Sequence, residues 1–304
     1  MARRRGKGRD IQGIVLLDKA LGVSSNRALQ DVKRLFNAKK AGHTGSLDPM
    51  ACGLLPICFG EATKVSAFLL NADKRYIATG MLGEKTRSGD TEGEVIERRD
   101  VPALDRDDME NVLQGFRGVI HQIPPMHSAI KINGQPLYKL AHKGIEIERE
   151  SRTVTVFELS LLDLSLPAFT LDIRCSKGTY IRTLVEDIGE ALGCGAHVKS
   201  MQRTVVGPYE IGNSITLDAL RQMNEEQRQQ WLMSIESALM DWPAVNLSKD
   251  TSFYLRQGQP VFVPHAPQPG WVRLYERDGG FFGMGQVLDD GRVAPKRLVN
   301  TETS

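Results

Sequence analysis

Asp48 is the first residue of this chain from which chemistry could start. It lies between Leu47 and Pro49 in the run Ala41-Gly42-His43-Thr44-Gly45-Ser46-Leu47-Asp48-Pro49. Proline disfavours the α region for the residue before it, so the Asp48 carboxylate is presented from an extended or turn backbone. Gly42 and Gly45 permit close backbone approach to a ligand, and His43 stands in the same loop. Taken alone, Asp-Pro more often serves as turn punctuation, and a loop histidine as surface or core. A second candidate is Cys175-Ser176-Lys177-Gly178-Thr179-Tyr180-Ile181-Arg182. There a strand runs out, Gly178 turns the chain, and a helix starts at Thr179. Arg182 falls in the first helical turn, where a cation opposes the helix dipole unless an anion stands nearby. Read alone, Tyr180 serves equally as a core aromatic and Arg182 as a surface charge.

Several other chemistries have no motif here. No phosphate-binding glycine loop, H-E-x-x-H or G-x-S-x-G occurs, and the six histidines are dispersed. The four cysteines, Cys52, Cys58, Cys175 and Cys194, form no C-x-x-C pair and no zinc spacing. They read as reduced, mostly buried thiols of a cytoplasmic protein. The basic start lacks the apolar core of a signal peptide, and no run approaches the ~18 apolar residues of a membrane span.

The elements around these two segments follow from periodicity. Residues 14–17 read as a buried strand. Ser24 or Ser25 caps a helix with Leu29, Val32, Leu35 and Phe36 at helical spacing. The pattern predicts a helix at 63–70, strands at 76–82 and 94–99, and a helix at 107–116. Asp105 or Asp107 caps that last helix, and Gly118 lies past its end. Residues 153–164 and 168–175 predict a hairpin through a Leu-Pro turn. A helix over 179–192 ends at Gly193, and 198–206 returns as a strand. Residues 216–240 read as helical and acidic. The stretch 123–152 is a long basic excursion, and loops of that length are usually functional or disordered. Past Trp242-Pro243, short strands broken by Gly and Pro predict a small β-rich unit that docks on the rest. The whole is α+β: an arm at 1–10, a large domain at 11–243 and a small one at 244–304.

Composition gives 41% apolar and 25% charged residues over 304, enough for a real core. Thirty-nine bases against 37 acids leave a net +2, which alone argues against a nucleic-acid partner. The distribution argues otherwise. Arg3, Arg4, Arg5, Lys7 and Arg9 crowd the arm, and residues 33–75 hold seven bases against three acids. Residues 84–110 hold ten acids against five bases. The sign of a local face matters more than the total.

The loop at 42–49, followed by Gly60-Glu61-Ala62-Thr63-Lys64, closely resembles the TruB family of tRNA pseudouridine synthases. Gly13-Ile14-Val15-Leu16-Leu17-Asp18-Lys19 with Ser24-Ser25-Asn26, and Lys74-Arg75-Tyr76, add to the resemblance. So do Ser176 to Arg182 with Gly195-Ala196-His197-Val198. It runs from about residue 11 to about 300 in matching order. It implies the pseudouridine synthase fold, with a central, mostly antiparallel mixed sheet. A small PUA-like RNA-binding domain follows, in the manner of the bacterial branch. It implies an isomerase that breaks the N1–C1′ bond of the T-loop uridine at tRNA position 55, turns the base and rejoins it through C5. No cofactor and no metal are implied.

The resemblance also assigns roles. The family aspartate falls on Asp48, which attacks C1′ or C6 or takes the C2′ proton. Arg182 matches the arginine that pairs with it; such a pair favours the ionised form and fixes its direction. The uridine must be flipped out of the folded loop. His43 fills the vacated space, Tyr76 stacks on the base, and Tyr180 stands beside C5. Met201 takes an apolar position usually held by Leu. Lys64, Lys131, Lys139, Lys143, Arg149 and Arg152 meet phosphates, with 123–152 as a lid over the T arm. The small domain meets the acceptor stem, and the protein acts as a monomer. Ala20, Cys52 and His127 stand where the family commonly has Pro, Thr and Tyr. Two rival classes remain: an RNA-folding protein without chemistry, which has no need of Asp48, and a carboxylate glycosidase, which needs a facing second acid. The acids at 84–110 and 213–241 are expected to face away from RNA.

Overall fold

The computed structural model describes residues 8–128, 130–132, 134–141, 143–277 and 279–300. Arg3, Arg4, Arg5 and Lys7 of the expected arm lie outside the described residues, as do residues 301–304.

A run of apolar residues long enough for one strand, Ala51–Phe59 (β3), is buried almost throughout and takes the middle of a large sheet. Sequence periodicity did not single it out, because a strand covered on both faces shows no alternation. Gly13–Lys19 (β1) pairs antiparallel to one side of it, and the short Ala41–His43 (β2) also lies against it. Lys74–Leu82 (β4) alternates buried and half-buried along its whole length, as a strand covered on one face should. Glu84–Thr86 (β5) and Val95–Arg98 (β6) form a separate small hairpin. Gly118–Gln122 (β7) is an edge strand, where the sequence suggested only the end of a helix. Lys131–Ile132 (β8) and Gln135–Pro136 (β9) make a second small hairpin inside the basic excursion.

The expected hairpin is Arg152–Ser165 (β10) with Ala168–Cys175 (β11). Ala196–Val206 (β12), Tyr209–Glu210 (β13) and Ile215–Thr216 (β14) complete the sheet. Its order is β14-β1-β3-β12-β4-β11-β10-β7, with β2 on β3 and β13 on β12. Only β1–β14 and β12–β3 are parallel, so the sheet is mixed and mostly antiparallel, as the resemblance implied.

Helix Ser25–Leu35 (α1) starts where Ser24 accepts from the Arg27 amide. Ser66–Asn71 (α2) is the shorter form of the helix read at 63–70; a 3₁₀ turn, Gly60–Lys64, takes its expected start. Arg106–Gln114 (α3) is capped by Asp105 in a capping box, and it stops at Gly115 rather than running on to Phe116. Leu137–Ala141 (α4) lies in the basic excursion. Ile181–Ala191 (α5) packs against β12, with Tyr180 as its N-cap. The acidic stretch at 216–240 is not one helix. It breaks into Leu217–Gln222 (α6), Glu225–Gln229 (α7) and a 3₁₀ turn, because Asn224 caps a new helix with Gln227 in a capping box.

The C-terminal part is a five-stranded sheet of Ala244–Leu247 (β15), Val261–Phe262 (β16), Gly270–Glu276 (β17), Phe281–Val287 (β18) and Arg292–Leu298 (β19). Their order is β15-β17-β18-β19-β16, with helix Lys249–Arg256 (α8) alongside. Phe68, Trp242 and Trp271 form an aromatic cluster where it meets the larger sheet. Three of the cysteines are buried, Cys52 is half-buried, and all are free. Among the described residues no helix is long and apolar enough to cross a membrane.

The loop before β3 is pinned from behind. Ser25 Oγ accepts from the Leu47 amide at 2.7 Å and donates to the Leu47 carbonyl at 2.9 Å. The Gly22 amide donates to the Pro49 carbonyl at 2.8 Å. The buried Lys19 ammonium holds the Ala20 and Val23 carbonyls of that same turn. We expect Ser25→Ala to leave both Leu47 backbone groups unpaired and to cost about 2–3 kcal/mol. Urea unfolding of the two proteins measures the difference; equal midpoints and slopes would show that the clamp contributes nothing.

Candidate active site

Arg182 follows the N-cap of α5 by two residues and is 4% exposed. Its Nε meets Asp48 Oδ2 at 2.9 Å. Its Nη1 donates to the Ser88 carbonyl at 2.7 Å and its Nη2 to the His127 carbonyl at 2.8 Å. A second carboxylate, Asp90, stands 3.8 Å from the same Nε. The anions that the helix position of Arg182 called for are therefore Asp48 and Asp90. The Asp48 side chain is 39% exposed, so a sealed guanidinium aims an accessible carboxylate.

Asp90 corrects the expectation that the acids at 84–110 all face away. It sits on a turn hung from β12: the Thr91 amide donates to the Val198 carbonyl, and the Val198 amide to the Gly89 carbonyl. Its Oδ1 accepts from Ser88 Oγ and from the Glu92 amide. In sequence this is an ordinary Asx turn, so nothing there distinguished a buried acid from a solvated one.

Tyr76 faces inward from β4 at 9% exposure, and Met201 stands next to it on β12, opposite Ala78. Both belong to the apolar cluster that holds Leu47 and Met50, the neighbours of the Asp48 loop. Burial raises the Tyr76 hydroxyl pKa, opposed by the Arg203 guanidinium beside it. Arg203 itself is fully buried on β12, donating to the Leu54 carbonyl at 2.8 Å and the Gly45 carbonyl at 3.1 Å. Gly45 has φ +118, a conformation that favours glycine. The sequence reading missed Arg203, although it shares inward parity with Met201 two residues before.

Tyr180 is held by its backbone. Gln122 at the end of β7 accepts from the Tyr180 amide at 3.0 Å and donates to its carbonyl at 3.2 Å. Burial raises the phenol pKa, opposed by Ser128, Arg152 and Arg182. Gly178, at φ +81, makes the turn ahead of it. His43 lies on β2, its pKa lowered by burial and by Arg203, and its Nδ1 is buried without a hydrogen-bond partner among the described residues. Lys64 is placed differently from the others: its ammonium binds Glu61 and donates to the Leu298 carbonyl at 2.6 Å, joining the C-terminal sheet to the 3₁₀ turn. Among the described residues no cluster of His, Cys, Asp and Glu could hold a metal.

This sheet is that of the pseudouridine synthases. A chain in a crystal structure of a Cbf5-Nop10-Gar1 complex matches it with TM-score 0.72 at 25% identity, over 94% of this chain and 84% of that one. A chain in the structure of an H/ACA RNP bound to a substrate RNA containing 2'-deoxyuridine shares the fold. There the TM-score is 0.70 at 23% identity, over 98% and 91% of the two chains. Residues 33–181 match the TruB family pseudouridylate synthase N-terminal domain. Residues 182–240 match the tRNA pseudouridylate synthase B C-terminal domain, and 243–299 the C-terminal domain of pseudouridine synthase II TruB. A Nitrosococcus oceani protein named tRNA pseudouridine synthase B is 54% identical over 304 residues, 99% of each chain. A Pseudomonas aeruginosa protein of the same name is 52% identical over 305 residues, 99% of this chain and 100% of that one. The chain belongs to the TruB family of pseudouridine synthases.

Two expectations follow from the geometry. Arg182→Lys keeps the charge but cannot reach Asp48, Ser88 and His127 at once. It should slow single-turnover product formation by about a hundredfold, a loss of about 2.7 kcal/mol, with RNA affinity little changed; a near-normal rate would show that charge alone suffices. Behind Arg182, burial pushes the Glu186 carboxyl up to about 7, and burial with Glu190 pushes Asp187 up to about 6. The folded state therefore binds more protons than the unfolded chain across this window, so stability falls as pH rises through about 7. Denaturant unfolding at pH 5 and pH 8 should show a smaller fall for Glu186→Gln than for the wild type. An equal fall would place the linkage elsewhere.

Proposed function

We propose that this protein converts the uridine at position 55 in the T loop of tRNA to pseudouridine, with Asp48 as its nucleophile or base. Conversion of uridine to pseudouridine is the family's reaction. The observation that carries the residue assignment is the ion pair between buried Arg182 and accessible Asp48, 2.9 Å apart at the mouth of the site.

A carboxylate fixed by a guanidinium can attack C1′ or C6, or take the C2′ proton; each route starts from the same ionised group. The base has to leave the loop stack to reach it. Tyr76 stacks on the flipped uracil, Met201 gives it an apolar wall, and Tyr180 stands beside C5. His43 fills the space the base leaves. Lys131, Lys139, Lys143, Arg149 and Arg152 meet T-arm phosphates from the insertion at about 123–152, and the unit at 244–304 meets the acceptor stem. Lys64 is expected to meet phosphate as well, although in the structure its ammonium binds Glu61 and the Leu298 carbonyl. The isomerisation consumes no co-reactant, so the reading includes no cofactor and no metal. It places the enzyme in the cytoplasm, acting as a monomer.

Asp48→Asn should bind an unmodified tRNA transcript with nearly unchanged affinity and form no product. Tritium release from 5-tritiated uridine reads the chemistry, and mapping of pseudouridine in the product RNA reads the position. Turnover by Asp48→Asn at the wild-type rate would remove Asp48 from the chemistry. Turnover on a T-arm hairpin should also survive EDTA; loss on chelation would overturn the metal-free reading.

A further inference from the structure

The neck of the insertion lies one side chain away from the site. The chain leaves the large sheet at Gln122, the last residue of β7, and returns at Arg152, the first residue of β10. These two are register partners, so one pair of residues closes the whole excursion. From that neck the Gln122 side chain turns inward and is 2% exposed. Its Oε1 accepts from the Tyr180 amide at 3.0 Å, and its Nε2 donates to the Tyr180 carbonyl at 3.2 Å. A primary amide carries an acceptor and a donor on one plane, the complement of a single residue's N–H and C=O. Those two partners fix which way the Gln122 amide points.

Tyr180 depends on such an anchor. It is half-buried and serves as the N-cap of α5, at φ −95 and ψ 108, so it is not itself helical. Its carbonyl also accepts from the Leu184 amide, the first bond of the helix. Gly178, two residues earlier, stands at φ +81 with open space where a Cβ would be, so no side chain packs the turn at that point. The start of the turn is tied to β10, through the Ser176 amide to the Thr155 carbonyl at 2.8 Å and the Thr155 amide to Ser176 Oγ at 2.9 Å. Arg182, on the far side, is secured by Asp48, Ser88 and His127. Between these two fixed points, the Gln122 amide is what grips the Tyr180 backbone.

We propose that Gln122 is a positioning residue for the isomerisation: its side-chain amide fixes the Tyr180 backbone, and with it the direction of the Tyr180 side chain toward the base. This rests on the reading of Tyr180 as the side chain beside C5. The residue that closes the neck of the insertion is then also the residue that holds Tyr180, and the insertion starts from a point fixed relative to the site.

A double-mutant cycle tests it, read by single-turnover tritium release at saturating enzyme and by the Kd of an unmodified tRNA transcript. Urea unfolding checks that each protein is folded in the assay. Gln122→Met keeps the length of the side chain and removes both hydrogen bonds. It should slow the chemical step about tenfold, the scale on which a small misplacement beside the reacting atoms is felt. Its Kd should stay within about twofold, because the affected group acts on the chemistry. In the Tyr180→Leu background, Gln122→Met should slow the step by less than about twofold. Tenfold slowing in that background, a wild-type rate for Gln122→Met alone, or a loss confined to Kd would overturn the role of Gln122. A wild-type rate for Tyr180→Leu alone would overturn the Tyr180 assignment and this proposal with it, whereas no product from the wild-type protein would overturn the function itself. Gln122→Glu keeps the acceptor, loses the donor and goes through the same cycle, answering in its place if the methionine variant does not fold.

Discussion

The Arg182 guanidinium is the joint of this molecule. Three of its nitrogens meet three separate stretches of chain: Asp48 before β3, the Ser88 carbonyl on the turn hung from β12, and the His127 carbonyl at the root of the insertion. Each stretch is irregular backbone that could drift. Each is instead fixed to one planar, fully charged group that leaves α5 at its second residue. Burial makes this arrangement strict. An arginine at 4% exposure has no water to replace a lost partner, so displacement of one segment leaves unpaired charge or an unpaired donor.

The sheet serves that joint. β3 and β12 run parallel in its centre and place the Asp48 loop and Met201 at the same end, while β4 adds Tyr76 from the other side of β12. Arg203 then does inside the sheet what Arg182 does at its mouth. It binds the Leu54 and Gly45 carbonyls, and so joins the strand after Asp48 to the loop before it. Two buried arginines on neighbouring elements hold one short loop between them.

Much of this was legible from residue order. Capping residues gave the starts of α1 and α3, and Gly193, at φ +80, closes α5 where the pattern ended. Asp48 stands out in the sequence by Pro49 and its glycine-rich loop, and Arg182 by a cation at a helix start that calls for an anion; the family resemblance pairs the two. What stayed illegible shares one physical trait: it depends on partners distant in sequence. β3 carries no alternation because both its faces are covered. Asp90 looks like any turn acid until β12 is placed beside it. Gln122 holds Tyr180 across 58 residues. The charge total of +2 misled for the same reason, since a sum over the chain carries no information about faces.

The clamp on Leu47 and the bond to Pro49 have a consequence for recognition. Asp48 is anchored on both sides by bonds from one turn and one helix start, so the carboxylate is a stationary point in the protein frame. Under the role proposed for Asp48, a stationary carboxylate works as a ruler. The nucleotide it meets is then whichever one the bound RNA delivers at a set distance from its contacts with the protein, and selection of a single uridine follows from measured reach, with no need to read its neighbours letter by letter.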